Sequence, residues 1–294
     1  MSHKAGFVNI IGKPNVGKST LMNAMIGENL SIITSKAQTT RHRILGIVNG
    51  EDFQVVYSDT PGLISPGYKL QEYMVKFARS AFTDADIILY VTDIEDSTEN
   101  AGEMIIQLNQ LKISLLILIN KIDLSNEGQV STLINDWQTA VPAATIIPIS
   151  ALEKFNLEKI FMLILENLPE SPPFYPKDEL TDKSERFFVS EIIREKILMN
   201  YQQEVPYAVE VEVESFKESD KIINIRSIIY VERESQKGIL IGHQGKALKK
   251  VGSMARVDME KFFGKKVFLE MFVKVKKDWR NDVRILKQFG YNPK

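Results

Sequence analysis

From residue 6 to about residue 168, short apolar runs alternate with longer stretches whose apolar residues return every three or four positions. The runs predict strands over 6–11, 43–49, 53–58, 87–92, 115–120 and 145–149. The longer stretches predict helices over 19–26, 70–82, 103–110, 130–140 and 157–168. Alternation of this kind argues a mostly parallel sheet with helices on both faces. Asn49-Gly50 separates the second run from the third as a tight turn, so that pair is expected to be antiparallel.

The pattern changes after residue 168. Pro169, Pro172, Pro173 and Pro176 stand among charged residues, and this stretch reads as a semi-rigid linker. Beyond it a helix is expected over 185–200, followed by strands over 208–217 and 221–232. In the first of these Val209, Val211 and Val213 alternate with Glu210, Glu212 and Glu214. Helices flank Gly242-His243-Gln244-Gly245, a strand covers 267–275, and a short helix ends near Phe289. The expected architecture is therefore α/β: a doubly wound sheet in 1–170, a linker over 171–184, and a smaller α+β module in 185–294.

At 294 residues, with 44% apolar and 26% charged positions, the chain has the makings of a folded globular protein of two domains. The absence of cysteine excludes disulfides and thiolate metal sites and fits a reducing compartment. The longest apolar stretch, over 113–119, is too short to cross a bilayer. Met1-Ser2-His3-Lys4-Ala5 opens no secretory signal, so a cytoplasmic protein is expected. The net charge of −1 conceals an asymmetry. Residues 237–290 carry fourteen Lys and Arg against five Asp and Glu, a net +9, which leaves −10 for the rest. A basic segment on an acidic background points to a polyanionic partner.

Directly after the first apolar run stands Gly12-Lys13-Pro14-Asn15-Val16-Gly17-Lys18-Ser19, with Thr20 in the helix that follows. Strand, glycine-rich turn and helix start form a phosphate-binding loop, whose backbone amides and helix dipole favour an anion. Lys18 would reach the β- and γ-phosphates, and the Ser19 hydroxyl would ligate Mg²⁺. Asn120-Lys121-Ile122-Asp123 follows a hydrophobic strand. A carboxylate at Asp123 can accept both N–H donors of the guanine edge, whereas adenine would leave that buried carboxylate unmatched. The Asn120 amide can address the base N7, the Lys121 stem can pack on the base, and Ser150-Ala151 can supply a backbone N–H to O6. Asp59-Thr60-Pro61-Gly62 ends the third strand: Asp59 would hold Mg²⁺ through water, and the Gly62 amide would sense the γ-phosphate. Thr39-Thr40 precedes the second strand, with Thr40 the favoured further Mg²⁺ ligand. Loss of the γ-phosphate would release both loops, a switch.

Together with Gln38-Thr39-Thr40-Arg41-His42 as a first switch loop and Leu63 after Gly62, these motifs resemble the bacterial Era-type GTPases of the TrmE–Era group. That resemblance implies binding of Mg²⁺·GTP and slow hydrolysis to GDP. Ras-like enzymes carry a glutamine where this chain has Leu63, so water must be oriented by other means. Related GTPases use K⁺ held partly by a phosphate-loop asparagine, and Asn15 stands at that position.

In the basic half, Ile241-Gly242-His243-Gln244-Gly245-Lys246, followed by Lys249 and Lys250, resembles the core of a type II KH domain. There a Gly-x-x-Gly turn between helices lets the backbone approach single-stranded nucleic acid. His243 and Gln244 occupy inner positions where many such domains have lysine, which leaves Lys246 to compensate. The resemblance implies a partner in single-stranded rRNA, the 16S 3′ end, and a role in assembly of the small ribosomal subunit by a monomeric protein. The rival readings are a basic module docking on a protein or on the inner face of the cell membrane, and a metabolic ATPase, which Asp123 disfavours. His3, His42 and His243 lack metal-ligand spacing and are expected at the surface, and Met22 and Met25 are expected in the core. Trp137 and Trp279 are expected to pack, although basic neighbours leave RNA contact open for Trp279.

Overall fold

Six strands form the first sheet in the computed structural model, which describes residues 3–292. They are β1 (Lys4–Ile11), β2 (Ile44–Asn49), β3 (Phe53–Asp59), β4 (Ile87–Asp93), β5 (Ser114–Asn120) and β6 (Thr145–Pro148), in the order β2-β3-β1-β4-β5-β6. All pairs are parallel except β2 with β3, which is antiparallel as the Asn49-Gly50 turn predicted. The turn is longer than a two-residue hairpin and is closed by the Gly50 N–H on the Phe53 carbonyl at 2.9 Å. Every residue of β4 is buried, as the unbroken apolar run requires of a strand covered on both faces. Around the sheet lie α1 (Lys18–Ile26), α2 (Lys69–Ser80), α3 (Gly102–Asn109), α4 (Glu127–Ala140) and α5 (Leu157–Asn167). Tyr90, Ile117 and Ile119 meet Leu108, Leu133 and Trp137 in the core on one face. Because β1 has β3 on one side and β4 on the other, the order of the strands reverses at β1, and in open sheets of this kind ligands bind at the C-terminal end of such a strand.

The second sheet has the order β7-β8-β9, from β7 (Glu210–Glu218), β8 (Ile222–Val231) and β9 (Lys266–Val275). β7 runs antiparallel to β8, and β9 parallel to it. Helices α6 (Glu185–Asn200), α7 (Glu234–Ile241), α8 (Lys246–Phe263) and α9 (Val283–Gln288) complete it. Val189, Ile193 and Ile197 of α6 and Val251, Ala255 and Met259 of α8 bury against Ile223, Ile225 and Ile229 of β8. Trp279 is fully buried, donates from Nε1 to the Ala208 carbonyl at 3.0 Å and packs edge-on against Phe289. It is a packing residue and has no surface with which to touch RNA. Among the described residues no helix is long and apolar enough to cross a membrane.

Contacts divide the chain into two units that do not follow the sequence boundary. The first holds residues up to 31, 40–65 and 74–182; the second holds 32–39, 66–73 and 183 onward. Residues 171–182 of the expected linker belong to the first unit and form a strap whose end lies along the edge strand β2, while 183 and 184 fall in the second. The Leu180 carbonyl accepts the Ile47 N–H at 2.8 Å, Asp182 Oδ1 accepts the Leu45 N–H at 3.1 Å, and Thr181 Oγ1 donates to the Leu45 carbonyl at 2.7 Å. The strap thus occupies an edge that would otherwise offer unpaired backbone groups. Gln54, fully buried, clamps it: Oε1 accepts the N–H groups of Phe174 (2.7 Å) and Tyr175 (3.0 Å), while Nε2 donates to the Tyr175 carbonyl (2.8 Å).

Gln54→Ala should cost about 2 kcal/mol of unfolding free energy, since it removes three hydrogen bonds that tie the strap to β3. It should also speed tryptic cleavage after Lys177. Unchanged urea stability and unchanged cleavage would show that the strap is held by other contacts.

Candidate functional site

The turn between β1 and α1 fits a phosphate because the backbone there takes a shape that side chains resist. Gly17 caps α1 with φ 98°, and a Cβ at this position would stand 2.2 Å from Asn120 Nδ2. Asn15 also has positive φ, 64°, and lies exposed at the rim. Lys18 is 6% exposed and donates from Nζ to the Lys13 carbonyl at 2.7 Å, folding back over the loop where phosphates would lie. Burial pulls its pKa down to about 8, against the opposing pull of Asp59. Lys13 itself is held by Asp96 Oδ1 at 2.5 Å. Gly62 comes against Pro14, and the Leu63 N–H donates to the Gly12 carbonyl at 3.2 Å, so the Asp59-Thr60-Pro61-Gly62-Leu63 loop lies on the phosphate loop.

Below Lys18 three oxygens converge. Ser19 Oγ donates to Asp59 Oδ2 at 2.6 Å, and Thr40 Oγ1 lies 2.9 Å from Ser19 Oγ and 3.3 Å from Asp59 Oδ2. Asp59 is fully buried, and its Oδ1 makes no hydrogen bond. Burial raises its pKa, although Ser19 and Lys18 oppose the shift. Two hydroxyls and a carboxylate with an unsatisfied oxygen form a hard-oxygen donor set that suits a small divalent cation. Thr60, by contrast, faces away: its hydroxyl donates to the Ile10 carbonyl at 2.8 Å and fastens β3 to β1.

The base end differs in two details from the sequence reading. Asn120 Nδ2 donates to the Val16 carbonyl (2.8 Å) and Oδ1 accepts the Ala151 N–H (2.9 Å), so Asn120 first of all braces the phosphate loop against the Ser150-Ala151 loop. One Asn120 N–H is left for a base nitrogen, and the Ala151 N–H would have to be shared with a base oxygen. Asp123 sits in a short 3₁₀ turn (Ile122–Leu124) and is exposed, not buried. Its protection from water would have to come from the seated base. Lys121, at φ 64°, pairs with Asp93 Oδ2 at 2.5 Å. Of the residues expected to form a first switch loop, Thr40, Arg41 and His42 lie in the first unit, with Arg41 fully buried; Gln38 and Thr39 belong to the second. His42 is half-buried, its ring 6.3 Å from that of Phe77.

In the second unit the Gly-x-x-Gly turn links α7 to α8. Gly242 has φ 68°, and a Cβ there would stand 2.6 Å from Ala247 Cβ, so the helices can approach only at glycine. Beside the turn a groove of about 330 Å³ is lined by Gly245, Leu248, Lys249, Ser253 and Arg256 along α8, with Leu269 and Met271 from β9 opposite. His243, Gln244, Lys246 and Lys250 are exposed, and Ile241 is half-buried.

Comparison with known proteins agrees with both halves. A family model described as a 50S ribosome-binding GTPase matches residues 7–121, and a KH-domain model matches 204–280. GTPase Era of Alkaliphilus metalliredigens is 46% identical over 99% of this chain and all of its own length. That of Staphylococcus haemolyticus is 44% identical over 98% of this chain and 97% of its own. The chain belongs to the Era family of GTPases. Two solved Era structures superpose with TM-scores of 0.93 at 39% identity, each covering 98% of this chain and 99% of the other. One is a single-residue variant of Aquifex aeolicus Era bound to GDP·AlF4⁻; the other is Era with MgGDPNP and nucleotides 1506–1542 of 16S ribosomal RNA. This Era-family chain is accordingly a GTPase with a C-terminal KH domain.

Of the residues named from the motifs, Gly245 and Lys249 line the groove. Leu248, Ser253, Arg256, Leu269 and Met271 were missed. Their signal was present as helical spacing: 245, 248/249, 252/253 and 256 fall on one face of α8. The β9 partners had no such signal, because only the sheet brings them opposite.

Gly17→Ala should weaken GDP and GTP binding about tenfold to a hundredfold, the cost of a strained backbone and a displaced Asn120. Titration of a fluorescent GDP analogue measures it, and unaltered affinity would remove Gly17 from the binding geometry.

Proposed function

We propose that this Era-family GTPase binds Mg²⁺·GTP, hydrolyses it, and holds the single-stranded 3′ end of 16S rRNA in its KH groove during assembly of the small ribosomal subunit. The observation that carries the reading is the convergence of the Ser19 and Thr40 hydroxyls on one oxygen of the buried Asp59 carboxylate, whose other oxygen has no hydrogen bond, beneath a lysine folded over a phosphate loop. These oxygens would hold the Mg²⁺, directly from the two hydroxyls and through water from Asp59. The ion would screen charge on the β- and γ-phosphates. Lys18 binds the same phosphates, and the Gly62 amide reads the third one. Asp123 pairs with the guanine edge.

Leu63 offers no hydrogen bond to an attacking water, so charge compensation at the phosphates carries more of the catalysis than water orientation does. Asn15, exposed on the loop rim, can lend its amide oxygen to a K⁺ ion there. Hydrolysis should then run several-fold faster in potassium than in sodium buffer, and Asn15→Ala should erase the difference. Equal rates in both salts for the unaltered protein would rule this role out.

For the base, Asp123→Asn should exchange GTP preference for xanthosine triphosphate, since an amide matches the xanthine edge. Binding of both nucleotides to the variant measures the change, and retained GTP preference would place guanine recognition elsewhere. For the groove, Arg256→Ala should weaken a short single-stranded RNA about tenfold and lower the salt slope of binding by about one. Competition between that RNA and anionic vesicles separates the reading from membrane docking. Displacement of the RNA by vesicles, or no RNA binding at all, would overturn it.

A further inference from the structure

Strand β4 lies between β1 and β5, so its end stands between the loops that leave those two strands. On one side Ile11 pairs with Tyr90, and Gly12 comes so close that a Cβ there would stand 2.1 Å from the Val91 carbonyl. On the other side Asp93 pairs with Asn120. Beyond Asp93 the chain makes a tight turn that carries a second carboxylate, Asp96. Asp93 Oδ1 accepts the Glu95 N–H at 3.1 Å, and the Asp93 carbonyl accepts the Asp96 N–H at 3.2 Å. Gln129 of α4 adds a bond from Nε2 to the Ile94 carbonyl at 3.3 Å. Both carboxylates are buried, and a buried carboxylate persists only with partners for its charge.

The two partners are lysines from different motifs. Asp93 Oδ2 holds Lys121 Nζ at 2.5 Å, at the base end of the site, and Asp96 Oδ1 holds Lys13 Nζ at 2.5 Å, on the phosphate loop. The Thr92 hydroxyl donates to the other Asp96 oxygen at 3.4 Å. Lys13 is thus engaged twice, because its carbonyl accepts Lys18 Nζ at 2.7 Å while its ammonium sits on Asp96. The side chains of Lys121 and Lys13 keep 31% and 40% of their surface exposed. Their charged ends are tied down while their stems stay open to a ligand.

A lysine has a long flexible stem, and ordering that stem on a ligand costs conformational entropy. An ammonium fixed beforehand by a carboxylate meets this cost before the ligand arrives, which is preorganisation. We propose that Asp93 and Asp96 are positioning residues for the nucleotide. Asp93 sets the Lys121 stem for the guanine ring. Asp96 sets Lys13 and, through the Lys13 carbonyl, the resting place of Lys18 for the phosphates. The inference rests on the readings of Lys121 at the base and of the phosphate loop, and extends them to a turn that belongs to neither motif.

The test reads GDP affinity of the full chain, by titration of a fluorescent GDP analogue, in two double-mutant cycles. One joins Asp93→Asn with Lys121→Ala, the other Asp96→Asn with Lys13→Ala. Asparagine keeps the size of each carboxylate and an oxygen acceptor but removes the charge. Each asparagine variant alone should weaken GDP about threefold to fivefold, the size expected of a partly exposed ion pair. In the background that lacks the lysine, the same substitution should no longer weaken binding, since a carboxylate without its lysine only repels the phosphates. Damage to the end of β4 would instead weaken GDP equally in both backgrounds. That result would overturn the positioning role of the carboxylate concerned, and so would full affinity of its asparagine variant alone. If Lys121→Ala or Lys13→Ala binds GDP as the unaltered chain does, that lysine takes no part in the site, and the inference falls with the reading beneath it.

Discussion

Asp59 ends β3 with no exposed surface, and Lys18, the cation whose charge acts on it, is itself buried. Neither group is comfortable in this state. Desolvation pushes the carboxylate toward protonation and pulls the lysine down to a pKa of about 8. Two hydroxyls share one carboxylate oxygen, and the other oxygen has none. Such a cluster is costly to keep in a folded protein without a ligand, and it becomes favourable once a divalent cation and a polyphosphate supply the missing charges. The rest of the nucleotide site is arranged around that imbalance. The sheet brings β1 and β3 side by side, Thr60 ties β3 to β1, and Gly17 lets the loop descend onto Asn120.

The strap over 171–182 shows how the first unit protects its edge. Strand β2 is the antiparallel margin of an otherwise parallel sheet, and without cover it would present open backbone groups. The strap bonds that edge through one backbone carbonyl, of Leu180, and the side chains of Thr181 and Asp182, and so covers it without adding a strand. Gln54 reaches out from the neighbouring strand β3 to hold it, which makes a buried amide the link between sheet and strap.

In the second unit the groove follows from two glycines and one sheet. Gly242 admits the close approach of α7 and α8, and the long helix α8 then lays one face along β9. The face is mixed: Leu248, Leu269 and Met271 give it an apolar floor, while Lys249 and Arg256 give it charge. Bases stacked on the floor and phosphates at the rim are the pairing that such a surface accommodates. The basic side chains of the groove stand on the helix that follows the turn.

Local chemistry settled much of this protein in advance. The alternating apolar periods named every strand within a few residues, and every long helix but α8, which was foreseen only as a flank of the Gly-x-x-Gly turn, because burial on two faces or one leaves a mark on each segment by itself. The phosphate loop and Asn120-Lys121-Ile122-Asp123 named the ligand class, because phosphates and guanine demand particular groups at fixed spacing. What remained hidden depended on residues far apart in the chain. Asn120 as a brace spanning 104 positions to Val16, the exposure of Asp123, the burial of Arg41 and the β9 side of the groove leave no trace in any single window. The same holds for Asp96 on Lys13, 83 positions away. Sequence period records what each segment must bury; only the folded chain decides which polar group satisfies which, since that pairing is made across the sheet and between helices after burial has brought them together.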